Sequence, residues 1–131
     1  TLPQDFHAWM PSAHHNNPKI MEYIDKFLNL DISTKAYHAR RVPRLFYIWG
    51  HSYEFNDEAK WEQMEELCKT VSGDENIWYA TNIEIFDYLN AVRSLRFSAN
   101  CDIVYNPTCI DVWIKCDHKP VCIPAGKTVT L

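Results

Sequence analysis

Residues 46–55 read FYIWGHSYEF, an apolar run cut off at Gly50 and followed at once by His51, Ser52, Tyr53 and Glu54. A buried strand that ends by presenting an imidazole and a carboxylate is the usual way an α/β scaffold builds a site at the carboxyl edge of its sheet. The run therefore predicts a buried strand over 44–49 and makes His51 the first candidate for chemistry. Glu54 stands beside it as an orienting partner or as a solvated turn residue. The plainer reading of His51 is a hydrogen bond at a strand end.

Elements alternate around this strand. Asn17 followed by Pro18 is a helix-start signal, and Ile20, Ile24, Phe27 and Leu28 follow at helical spacing, which predicts a helix over 18–29. The stretch 31–43 is polar and without period. Asn56 is the expected cap of a second helix with acidic residues in its first turn, an inner stripe of Trp61, Met64, Leu67, Cys68 and Val71, and a stop at Gly73. A short strand over 77–80 leads to Thr81 and Glu84, a T-x-x-E capping box for a third helix that turns Ile85, Phe86, Leu89 and Val92 inward. Strand, helix, strand, helix implies parallel strands joined by crossovers.

After Asp102 the pattern changes to short alternating strands at 103–105, 111–115, 121–123 and 128–131, separated by turns at 106–107, 117–120 and 124–126. The expected architecture is α/β over 1–100 with an antiparallel β extension over 101–131 packed on it.

Composition excludes several classes. The chain has 131 residues, 47% of them hydrophobic and 14% aromatic, enough for one domain with a core. Its net charge is −4, and the basic residues cluster only at Lys35, His38, Arg40, Arg41 and Arg44. That group reads as a solvated loop, or less simply as a sugar or anion contact. It is too small a face for phosphate neutralisation, so no nucleic-acid partner is expected. No segment approaches the roughly 20 apolar residues of a membrane helix, and no signal peptide opens the sequence. Cys68, Cys101, Cys109, Cys116 and Cys122 are odd in number and lack a close C-x-x-C pair. Reduced thiols in a soluble, cytoplasmic protein are the expectation, with a Cys116–Cys122 bridge in one hairpin left open by spacing.

The strings DFHAWMPSAHHNNP, WGHSYEF and WYATNIEI, with the tail VYNPTCIDVWIKCDHKPVCIPAGKTVTL, resemble the C-terminal half of bacterial polysaccharide deacetylase domains, the NodB-like carbohydrate esterases. The resemblance covers the chain from about Leu2 onward. It implies part of an irregular (β/α) barrel and metal-dependent hydrolysis of N-acetyl groups on a glycan, using zinc or cobalt. His51 matches the late active-site histidine of that family, and Trp9 the aromatic that walls its acetyl pocket. Nothing matches the family's early aspartate strings or its H-x-x-x-H metal pair. The metal-binding half is therefore expected outside this sequence, and no metal is expected in this chain alone. The alternative is a non-catalytic carbohydrate-binding or structural module that keeps only the second half of the fold. A half barrel exposes strand edges, which implies self-association or a covering polypeptide.

Four further residues complete the expected site. His14 and His15 are adjacent, so a strand would point them to opposite faces and they should not chelate as a pair. One of them lining the cleft competes with simple hydrogen bonding beside the helix start. Glu54 is taken as the partner of His51. Asn82, in the first turn of its helix, faces either the cleft or solvent. Amide hydrolysis needs a polarised carbonyl, an activated water and a proton for the leaving amine; a metal supplies the first two, and an imidazole suits the third.

Overall fold

A parallel pairing of two short strands organises the first part of the chain. The computed structural model describes residues 2, 5–31 and 43–131. Of the basic cluster, only Arg44 falls among them. Strand β1 (Ala13–His14) lies parallel to β2 (Ile48–Trp49), with helix α1 (Ile20–Leu28) between them in sequence. Extra bonds lock the register: Ser12 N–H donates to Tyr47 O at 2.7 Å, His15 N–H to Trp49 O at 3.0 Å, and Tyr47 N–H to Ser12 Oγ at 3.0 Å. The last of these explains why the predicted strand over 44–49 shortens to two residues. Tyr47 gives its donor to a side chain, and the ladder runs only as far as β1 reaches.

Helix α1 starts two residues later than the Asn-Pro signal suggests. Asn17 Oδ1 accepts the Lys19 N–H and Asn17 O accepts the Ile20 N–H, both at 2.9 Å, so Asn17 closes a turn ahead of the helix. Ile20 and Ile24 are buried with Ala13 and with Leu67 of helix α2 (Glu58–Val71), and Phe46, Ile48 and Met64 pack around them. Asp57, not Asn56, caps α2 by accepting the Lys60 N–H at 2.9 Å. The buried stripe of α2 is narrower than predicted. Trp61 and Cys68 are exposed, and the Trp61 ring leans on Phe55 at 5.1 Å.

The chain divides into two units, Thr1–Ile77 and Trp78–Leu131. No strand forms over 77–80. Ile77 N–H bonds Asp74 O at 3.1 Å, which closes a turn where the strand was expected.

In the second unit, helix α3 (Asn82–Ser94) has the predicted capping box. Thr81 N–H donates to Glu84 Oε2 at 2.7 Å, and Thr81 Oγ1 accepts the Glu84 N–H at 3.4 Å. Strands β3 (Arg96–Phe97), β4 (Ile103–Tyr105) and β7 (Thr128–Thr130) form one antiparallel sheet, and β5 (Val112–Cys116) with β6 (Lys119–Ile123) form a hairpin. Asp117 and His118 have φ of 45° and 65°, the left-handed pair of a two-residue hairpin turn. Pro120 therefore lies in β6 opposite Lys115 and not in the turn.

The same register overturns the Cys116–Cys122 option. Cys116 faces Lys119 and Cys122 faces Trp113, which puts the two thiols on opposite faces of the hairpin, and both are free. Between the two sheets, Asn106 is fully buried. Its Nδ2 donates to Ile110 O and Ile123 O at 2.8 and 2.9 Å, while Oδ1 accepts from Thr108 N–H and Oγ1 at 3.0 and 2.7 Å.

The fold is thus mixed helix and strand, with the antiparallel C-terminal strands the sequence predicts. The strands form three small sheets, and among the described residues there is no closed barrel. No described helix is long and apolar enough to cross a membrane.

Candidate functional site

Glu54 is the centre of the site. The chain leaves β2 at Trp49, passes Gly50, and enters a 3-10 turn over Ser52–Glu54 that returns the Glu54 side chain to its own entry. Its Oε2 accepts the His51 backbone N–H at 2.8 Å and lies 3.1 Å from His15 Nε2, 3.2 Å from His14 Nε2 and 3.3 Å from His51 Nδ1. Its Oε1 accepts from Asn16 Nδ2 at 3.4 Å. The His51 N–H, and after it the His15 imidazole, hold the Glu54 carboxyl down to about 2, with His14 and the His51 ring adding to the effect against a smaller opposing effect of burial.

Each imidazole has a distinct setting. His15 is 4% exposed and sandwiched between the rings of His14 and Phe55, each 4.5 Å away. Gly50 makes room for it. A Cβ on Gly50 would lie 1.9 Å from His15 Cδ2, so any larger residue displaces the ring. His14 also meets Trp49 edge-on at 4.9 Å, and its Nδ1 accepts the Asn16 N–H at 3.2 Å. His51 is half-exposed, stacked on Tyr53 at 4.9 Å and set edge-on to Trp49 at 5.2 Å. A cleft of about 480 Å³ opens beside them, walled by Tyr47, Ile48, Trp49 and Phe55, with His15 and His51 in its lining.

The expectation that His14 and His15 diverge is corrected here. β1 ends at His14, where the Asn17 N–H bonds His14 O at 2.9 Å and starts a turn. Strand alternation stops at that residue, and the two rings stack and reach the same oxygen. Trp9 stands behind the cleft wall. Its Nε1 donates to Phe6 O at 2.7 Å, and its ring meets Tyr47 edge-on at 6.2 Å, so Tyr47 presents the nearer aromatic surface. Asn82 is the exposed first residue of α3 in the second unit. Sequence reasoning passed over Asn16, Phe55 and the spatial role of Gly50. His51 and Glu54 stand out in the sequence as the polar end of the apolar run 46–49; their H-x-x-E spacing, a capping-box pattern, is the signal that could have shown the carboxylate returning to the His51 N–H.

No family model, curated protein or solved structure matches this chain. His14, His15 and Glu54 each offer one ligand atom, all within 4.8 Å of one another, and two imidazole nitrogens with a carboxylate oxygen are a donor set that suits a divalent cation of the zinc class. His51, more exposed and paired to the same carboxylate, suits proton transfer.

Proposed function

We propose that this chain is the later part of a glycan N-deacetylase domain of the polysaccharide deacetylase kind, in which His51 donates the proton to the leaving amine. The observation that supports this reading is the His51–Glu54 pair at the mouth of an aromatic-walled cleft, with Nδ1 3.3 Å from the carboxylate oxygen. A carboxylate beside Nδ1 orients the ring and leaves Nε2 free to face the substrate, the atom placed to exchange a proton. The WGHSYEF string that carries the family resemblance contains both residues.

Hydrolysis of the acetamide adds water to the acetyl carbon and breaks the C–N bond. The proton on His51 Nε2 passes to the departing nitrogen; of the two protons shed by the water and the acetic acid product, one restores the imidazole and the other goes to solvent, giving an amine and acetate. A divalent cation, when bound, polarises the acetyl carbonyl and acidifies the water. Tyr47 and Trp49 offer apolar faces to the sugar ring, and Glu54 holds the imidazole in place. In this reading the parallel β1–β2 pair with α1 belongs to a (β/α) barrel whose other strands lie outside this sequence. The barrel edge is covered by that part, by a second polypeptide or by self-association.

The exposed Trp78, Tyr79 and Trp113 of the second unit favour a second reading, a carbohydrate-binding module without catalysis. One experiment separates the two. The chain, alone and joined to the preceding coding sequence, is incubated with an acetylated chito-oligosaccharide with and without added Zn²⁺ or Co²⁺. Released acetate supports the deacetylase; saturable binding with no acetate from either form supports the module.

A further inference from the structure

We propose that His14, His15 and Glu54 form a divalent-cation site of the zinc class within this chain, with a fourth position left open to solvent. The inference does not depend on the glycan reading and runs against the sequence-based expectation of no metal here. It rests on crowding at a single atom. Four nitrogens lie within 3.3 Å of Glu54 Oε2, namely the His51 N–H, His15 Nε2, His14 Nε2 and His51 Nδ1. A carboxylate oxygen offers about two lone-pair directions. Hydrogen bonds alone leave some of these nitrogens without a proper acceptor, whereas a cation gathers the two Nε2 lone pairs and the carboxylate onto one centre.

The spacing fits that role. Zinc bonds of about 2.0–2.2 Å arranged tetrahedrally put neighbouring ligand atoms about 3.3–3.5 Å apart. The distances from Glu54 Oε2 to the two Nε2 atoms are 3.1 and 3.2 Å. All three ligand atoms lie within 4.8 Å of one another, so the two imidazole nitrogens draw together when the cation binds.

The ligands are also held in advance. His15 is clamped between His14 and Phe55 and against Gly50, and Glu54 is tethered by the His51 backbone N–H, an outer bond of the kind that orients ligating carboxylates. Three protein ligands with an open fourth position is the pattern of a cation that handles water or substrate, not of a closed structural site. His51 is half-exposed beside that opening.

Cation capture has a local signature. His14 Nδ1 accepts the Asn16 N–H at 3.2 Å, so the neutral ring carries its one proton on Nε2. Binding a cation at Nε2 moves that proton to Nδ1, and the Asn16 N–H loses its acceptor. The Asn16 amide therefore reports occupancy of the site.

The test uses the whole chain after chelation and dialysis, titrated with Zn²⁺ by calorimetry and with Co²⁺ by visible absorption. We expect one equivalent bound, tetrahedral d–d bands with cobalt, and a shift of the Asn16 amide resonance that saturates at the same ratio. Glu54→Gln and His14→Gln should each weaken binding by about 100-fold or more while far-UV circular dichroism stays unchanged. His118→Ala, on the β5–β6 turn of the second unit, should leave it alone. No binding, or binding unaffected by both substitutions, overturns the proposal. A thiolate-to-cobalt charge-transfer band would assign the metal to the free cysteines and overturn it as well. A variant that loses its circular dichroism signal is replaced by Glu54→Asp, which retains a carboxylate one methylene shorter and should bind more weakly than the wild type but more tightly than Glu54→Gln.

Discussion

Gly50 and His15 occupy space that only one side chain can share: a Cβ at residue 50 would sit 1.9 Å from His15 Cδ2 and 2.6 Å from its Nε2. His15 is itself enclosed by Phe55 and His14, so the ring has no room to retreat without unstacking both neighbours. Gly50→Ala should cost about 1–3 kcal/mol, in the range of other overpacking changes. Chemical denaturation measures it. Equal stability of the variant and the wild type would mean that His15 moves aside freely, and the cluster around Glu54 would then not be held in advance.

The Glu54 carboxyl is the second point of leverage. Its folded-state pKa of about 2 lies below the ordinary 4.5, so the unfolded chain takes up the proton first as pH falls. The stabilising contribution of Glu54 is fully present above about pH 4.5 and is lost as pH drops toward 2. Wild type and Glu54→Gln, compared in chelator by denaturation between pH 7 and 2, should differ most at the upper end and converge at the lower. A carboxyl carbon titration by NMR should find Glu54 ionised at pH 3. A midpoint near 4.5 would show that the His51 N–H and His15 bonds do not persist in solution.

How much of this was legible in the sequence depends on the range of the forces involved. The Thr81–Glu84 capping box and the strand over 103–105 are local, written in residues a few positions apart, and they appear where predicted, whereas the cap of α2 moves from Asn56 to Asp57 and β6 starts two residues early, at Lys119. The strand over 77–80 failed at its first residue, where the Ile77 N–H closes a turn on Asp74 O. The His14–His15 stack was illegible for a different reason. It depends on β1 ending at His14 against β2, a contact between segments 35 residues apart that no local period encodes. His51 and Glu54 could be found because they follow directly on an apolar run in the sequence, while Gly50 read only as a strand stop until His15 was seen against it.

Asn106 looks like a turn residue in the sequence, before Pro107, yet it is fully buried and all its side-chain atoms are used. It joins the loop over 106–110 to the end of β6 through Ile123 O. Asn106→Ala takes the amide donor from Ile123 O and the acceptor from the Thr108 N–H, while Ile110 O keeps Thr108 Oγ1, and should cost roughly 2–4 kcal/mol. Asn106→Asp keeps the acceptor and loses the donor, so it should fall below the wild type too. Thermal melts of the three proteins check the order; a change under about 0.5 kcal/mol for Asn106→Ala would place it with ordinary surface residues.

The proposed acid role of His51 separates activity from stability. In a domain that includes the preceding sequence, His51→Ala should lower release of acetate from an acetylated glycan by roughly 10²-fold or more, the scale of lost general acid catalysis. Stability should change by no more than about 0.5 kcal/mol, because the ring is half-exposed and the bond that holds Glu54 most closely comes from the His51 backbone, which alanine retains. Activity retained with a large loss of stability would make His51 a structural residue and turn attention to Glu54 and the histidines on its other side.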